Sequence, residues 1–304
     1  MSETLIVARQ QTLPHGRLLY WSVRRELWEH RALYVAPLTV AAFSLFGGAI
    51  SALWLVPTLL TKGGAGLMGI YPFIAVSVMA TALLVTLFYV SAALHAERRD
   101  RSLLFWKSLP VSDGTAVLAK FAIPMVFTPA AIIVIVMATQ LALLAWSTGV
   151  VLLNGLSPAL LWARADLTTM WVVLPYGLIV NALWQAPLYA WLLMVSAWAR
   201  RVPFLWAVAP FVILMMIEAM ARAAAKAAGA GMRSTPVADF VGNRLLGGFA
   251  EAFSVDGRAG EAIDRIGQLN PFRTFTSPDL WGGLVATVFL LAAAIWLRRR
   301  REPL

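Results

Sequence analysis

His95 to Lys120 reads HAERRDRSLLFWKSLPVSDGTAVLAK, a run that packs Glu97, Arg98, Arg99, Asp100 and Arg101 together and then switches to Leu103, Leu104, Phe105 and Trp106. It lies between two apolar runs, each long enough to cross the ~30 Å hydrocarbon core of a bilayer, which takes ~20 helical residues. A charged element with an apolar face, held by a membrane helix at each end, lies along the bilayer surface and offers a docking face to another protein. Counting outward from it predicts an all-α polytopic membrane protein with six spans: Tyr34–Val56, Pro72–Leu94, Phe121–Trp146, Met170–Ala197, Pro203–Met220 and Leu280–Leu297. Residues 1–304 form one membrane domain in this reading, with 95–120 as a loop, 221–278 as an external segment and 298–304 as a tail.

Composition agrees. The chain is 60% hydrophobic and 13% charged, with mean hydropathy +0.75, against about 25% charged in a soluble domain. It has no cysteine, which removes disulfides, thiolate metal sites and cysteine nucleophiles together. The net charge of +10 points to basic loops facing an anionic leaflet and its lipids, with no nucleic acid as partner.

Met1–Arg31 is polar and lacks a charged start followed by an apolar core and a small-residue cleavage site, so no signal peptide is expected. From Pro14, within residues 1–33, the pattern predicts a surface helix. Leu19, Val23 and Leu27 share one face, and Ser22, Arg25, Glu26 and Glu29 the opposite, solvated one. Arg17, Arg24 and Arg31 recur every seven residues beside Trp21 and Trp28, as expected of a helix in the headgroup layer.

Orientation follows from the basic residues. With the N-terminus inside, the inner segments hold 16 of the 25 Lys and Arg and seven of the 15 acids, a net +9 against +1 outside. Both termini are then cytoplasmic. Pro57–Ile70, with Lys62-Gly63-Gly64 and Gly66, is a short outer turn, and Asn154–Thr169 a modest loop resting Leu160, Leu161 and Trp162 on the membrane surface. In Ala221–Pro278, an alanine-rich start extends the fifth span. Helix candidates follow at Val237–Phe253 and Gly260–Leu269, and Asn270-Pro271 acts as a breaker. This segment is either an external cap or a pair of shallow re-entrant helices.

Polar residues within spans are costly in lipid and few. Asn181 and Gln185 share a face of the fourth span, Gln140 lies in the third, and Glu218 sits near the end of the fifth. They are candidates for lining a pathway, or for interhelical hydrogen bonds, with Glu218 pairing to Arg222 at i+4. No Gly-x-x-x-x-Gly-Lys-Ser/Thr, His-Glu-x-x-His or Gly-x-Ser-x-Gly string occurs. The chain is therefore expected to bind no ATP, metal or other cofactor and to be non-catalytic by itself.

The interfacial helix, six spans, the Glu97–Pro110 run ERRDRSLLFWKSLP and the long outer segment before the last span together resemble an ABC-2 type transporter permease. The resemblance covers nearly the whole chain. It implies that the loop contains a coupling helix, so that Glu97, Arg98, Arg99, Asp100, Arg101, Leu103, Phe105 and Trp106 meet a separate ATP-binding subunit. It further implies two copies of that subunit carrying ATP and Mg, a second permease that makes a homodimer, re-entrant outer helices, export of an amphipathic or hydrophobic cargo and a place in a bacterial inner membrane. Two other readings stay open: a secondary transporter, and an assembly or sensory protein without a path of its own.

Overall fold

The computed structural model describes residues 15–62, 67–99, 112–165, 167–228, 236–253 and 266–300, and these are helical nearly throughout, with no strand among them. The helix expected from Pro14 onward is α1, His15–Glu29. Six helices are long and apolar enough to cross a membrane. They are α2 (Ala32–Lys62), α3 (Leu67–Arg99), α4 (Asp113–Leu153), α6 (Leu167–Trp198), α7 (Pro203–Ala227) and α11 (Pro278–Arg300). Between them lie α5 (Pro158–Ala165), the short helices α8 (Pro236–Gly242) and α9 (Gly248–Phe253) joined by a π turn at Asn243–Gly247, and α10 (Pro271–Thr276).

The helices overrun the expected spans because apolar content, which sets the count, does not limit the backbone hydrogen-bond ladder. Helix α2 continues through Pro57–Lys62, and α3 resumes at Leu67, inside the expected Pro57–Ile70 turn. Asp113–Lys120, read as loop, is the first turns of α4: Ser112 caps it, its Oγ accepting from Thr115 N at 3.1 Å. A π turn at Ile123–Phe127 absorbs Pro124 without ending the helix. The Asn154–Thr169 loop contains α5, which turns Leu161 into the core and leaves Trp162 exposed. Asn270-Pro271 starts a helix instead of breaking one, because the Asn270 Oδ1 accepts from Arg273 N at 3.2 Å. Of Gly260–Leu269 only a 3-10 turn at Ile266–Gln268 falls within the described residues.

Helix α6 is the most enclosed span and α7 the most exposed. Lipid is as apolar as leucine, so these helices associate through close packing and hydrogen bonds. On α11 the buried stripe Gly283, Thr287, Leu291, Ala294 and Arg298 keeps helical spacing, and it faces α6 in the most extensive helix pairing of the fold. One apolar cluster joins α2, α3, α4 and α6 around Tyr71, Val78, Val136 and Leu178. A second gathers Leu33, Tyr89, Val117, Leu193 and Ala294 toward the end that carries α1, called here the basic end.

Away from that end, α8, the π turn and α9 form one unbroken helical run, Pro236–Phe253, that lies alongside α6, antiparallel to it. Trp184 Nε1 donates to Asn243 O at 2.9 Å, Gly248 abuts Asn181, and Phe253 packs on Gly177. A Cβ on Gly177 would fall 2.3 Å from the Phe253 ring, so only glycine admits this approach. Trp184 is near the middle of α6. The Pro236–Phe253 segment therefore runs beside a span and does not merely cap its end.

The turn from α6 to α7 holds Val202 at φ 41°, a left-handed conformation that a β-branched residue rarely adopts. Its side chain is 56% exposed. Such strain costs of order 1–3 kcal/mol, and glycine would return about 0.5–1 kcal/mol of that in chain entropy. Val202→Gly is expected to raise the thermal unfolding midpoint of the detergent-solubilised protein; a lower midpoint would show that the valine side chain holds the turn.

Candidate functional site

At the basic end, charges from four helices meet out of water. Lys120 of α4 places Nζ 2.7 Å from Glu26 Oε1 of α1 and 3.1 Å from Glu97 Oε1 of α3. Arg298 of α11 donates from Nη1 to Glu97 Oε2 at 2.7 Å and from Nε to Asp113 Oδ1 at 3.0 Å. Tyr89 OH donates to Glu26 Oε2 at 2.8 Å. Arg25 closes the outer side, with Nη2 3.7 Å from both Glu26 and Glu97 and Nε 2.7 Å from Glu29. Glu26, Glu97, Lys120 and Arg298 are all buried. Beside this clasp is a cavity of about 230 Å³ walled by Leu18, Trp21, Arg25, Glu97, Asp113 and Arg298, among others.

The arrangement corrects the expected faces of α1. Glu26 belongs not to a solvated face but to the bundle, at 3% exposure, because Lys120 and Tyr89 supply partners there. Val23 and Leu27 also pack inward. Arg17, Trp21, Arg24, Trp28 and Arg31 face outward, and the Arg24 guanidinium sits 5.1 and 5.5 Å from the Trp21 and Trp28 rings.

Of the docking residues expected in the charged stretch, Glu97 and Arg98 are buried and Arg99 is exposed. Asp100, Arg101, Leu103, Phe105 and Trp106 lie outside the described residues. Arg98 joins α3 to the end of α6: its Nη2 donates to Ala199 O and, at 3.5 Å, to Ser196 O. Ser196 Oγ in return accepts from the backbone N–H groups of Leu94 and His95 at 3.1 and 3.0 Å. Both stems of residues 100–111 are thus tied down, one to α6 and both to the clasp.

The candidate pathway residues are separated. Gln140 is fully buried; its Nε2 donates to Tyr71 O at 3.1 Å, and its Oε1 accepts from Trp171 Nε1 at 3.0 Å. Gln185 Oε1 accepts from Tyr189 OH at 2.6 Å. These amides tie side chains together inside the bundle. Asn181 and Glu218 instead face the Pro236–Phe253 segment. Asn181 abuts Gly248, and Glu218 Oε2 accepts from Ala238 N at 3.1 Å. That bond replaces the expected pairing of Glu218 with Arg222, which is exposed.

Lys120, Arg298, Asp113 and Tyr89 were not singled out from sequence. Each is separated from its partners by 23 to 201 positions, so no local periodicity joins them. The usable signal is weaker: lone charges of opposite sign at the ends of apolar runs. Among the described residues, no group of three or more His, Cys, Asp or Glu gathers as a metal site would require. No family model, curated protein or solved structure matches the chain.

Burial pushes the Glu26 carboxyl up. The charge and hydrogen bond of Lys120, the Tyr89 hydrogen bond and the charge of Arg25 together outweigh that, and hold it below the ordinary value of 4.5. A carboxylate depressed on folding adds stability that is complete above its unfolded pKa and is lost as pH falls through the folded one. The unfolding midpoint is therefore expected to fall as pH drops below 4.5. Glu26→Gln should start lower at neutral pH and show a flatter acid limb; an identical acid limb would remove Glu26 from the clasp.

Breaking a buried ion pair by removing one partner costs about 3–5 kcal/mol, whereas replacing both by apolar residues is often neutral. Lys120→Met is expected to lose stability on that scale, and Lys120→Met combined with Glu26→Leu to recover most of it. Thermal unfolding of the three forms measures the coupling. Additive losses in the double variant would show that the two charges act independently.

Proposed function

We propose that this chain is the permease subunit of an ABC transporter of the ABC-2 type. It provides the translocation path while a separate nucleotide-binding subunit hydrolyses ATP, with Mg bound there. The observation that carries the reading is the mooring of the charged stretch. Residues 100–111 hang between α3 and α4, and the clasp at their stems ties those helices to α1 and α11 through buried ion pairs. A partner that pushes on the stretch therefore moves four helices together. A low-dielectric ion network resists being pulled apart, because each separated charge loses its partner without gaining water.

The rest of the reading fits this core. Cytoplasmic termini put the clasp and the charged stretch on the side where ATP is available. Two permeases, paired as a homodimer, and two ATP-binding subunits complete the machine in a bacterial inner membrane. The cargo is amphipathic or hydrophobic and moves outward. A secondary carrier is less well supported, since Gln140 and Gln185 spend their hydrogen bonds on packing.

Leu103, Phe105 and Trp106 are the proposed apolar anchors. Truncating a central aromatic anchor typically costs about 2 kcal/mol or more, roughly thirtyfold in affinity. Phe105→Ala with Trp106→Ala should leave the protein inserted in the membrane but lose the copurifying ATPase. Unchanged recovery of an ATPase, or no ATPase with the unaltered chain, would overturn the assignment.

A further inference from the structure

The Pro236–Phe253 segment beside α6 carries one basic residue, Arg244. Arg244, in the π turn, donates from Nη2 to Asp279 O at 2.8 Å and from Nη1 to Trp184 O at 3.4 Å. Its guanidinium lies 5.2 Å from the Trp184 ring centre. A Cβ at Gly283 would fall 2.7 Å from Nη1 and 2.9 Å from Nη2, so the missing side chain leaves the space that the group fills. Among the described residues no carboxylate is within ion-pair distance, although the Asp279 charge acts on Arg244 from farther away. A guanidinium has five N–H donors, and two carbonyls occupy only part of that set.

The level of this seat identifies what meets it. Counting from Leu297 back to Pro278 at ~1.5 Å per residue gives about 30 Å, the thickness of the hydrocarbon core. Pro278 thus marks the boundary away from the basic end, and Asp279 and Gly283 lie within the first turns below it. Exposed Trp281, at 57%, occupies the same turn, where interfacial indoles belong. Trp184 lies near the middle of α6, so the seat is below that boundary and a lipid phosphate reaches it from above.

We infer that Arg244, held by Trp184, Asp279 O and Gly283, is a binding site for the phosphodiester of an anionic lipid in the leaflet opposite the basic end. The planar fork suits a phosphate better than an ammonium would. The carbonyls and the indole fix its plane, and part of its donor set stays open to a headgroup. This site does not depend on the transporter assignment.

The test uses the full-length protein in detergent micelles, titrated with phosphatidylglycerol or phosphatidylcholine and read by native mass spectrometry. The unaltered chain should retain phosphatidylglycerol preferentially, and Arg244→Gln should weaken that retention about tenfold, the scale of a charged hydrogen bond. Arg244→Lys, which keeps the charge but not the fork, should fall between. Should Arg244→Gln fail to fold, Gly283→Ala decides, because it displaces the guanidinium and keeps the charge; it too should weaken retention. Competition by soluble glycerophosphoglycerol separates a phosphate from solution from one delivered by lipid, and the lipid source requires that it compete poorly. Equal retention of both lipids by the unaltered chain, or undiminished phosphatidylglycerol retention in folded Arg244→Gln, overturns the site.

Discussion

A charge taken out of water has to find its opposite, and in a membrane bundle it has to find it on another helix. At the basic end Glu26, Glu97, Lys120 and Arg298 satisfy that demand together. Their shortest pairs all cross between helices, so the ion pairs fix which helix ends stand side by side. Apolar packing cannot do this alone, since in lipid one leucine-rich face is nearly as good a neighbour as another. Buried ion pairs add little net stability compared with apolar replacements. Their contribution here is register: α1 lies where Lys120 and Tyr89 can reach Glu26, and α11 ends where Arg298 meets Glu97 and Asp113.

The same constraint governs the few polar groups farther in. Gln140 and Gln185 are buried and hydrogen-bonded, which makes them fasteners of the bundle. Trp184 and Glu218 hydrogen-bond the Pro236–Phe253 segment against α6 and α7, and Asn181 abuts it at Gly248. The Pro236–Phe253 segment lies along Gly177–Trp184 of α6, the most enclosed span, and the clasp lies toward the C-terminal end of that helix. Displacement at one therefore has a packed, continuous helix through which to reach the other, although Pro175 and Pro187 interrupt its hydrogen-bond ladder.

Some of this was legible in the sequence because it depends on local composition. Six apolar runs of sufficient length announce six spans, since hydrocarbon thickness sets the count. The seven-residue recurrence of Arg17, Arg24 and Arg31 beside Trp21 and Trp28 announces one shared face, and those residues do face outward. Helix ends were less legible. Hydropathy falls off before hydrogen bonding does, so Asp113–Lys120 read as loop and proved to be α4.

Sequence by itself thus determined the membrane class, the number of spans and the position of the charged stretch, all of which follow from how many apolar residues stand in a row. Only the tertiary structure decided that Glu26 is buried rather than solvated, that Arg298 closes a clasp on Glu97 and Asp113, and that Pro236–Phe253 lies along α6. The physical reason is one of range. Hydropathy is a property of neighbours along the chain, whereas an ion pair between residues 201 positions apart exists only after the helices have packed and excluded the water that would otherwise have solvated each charge.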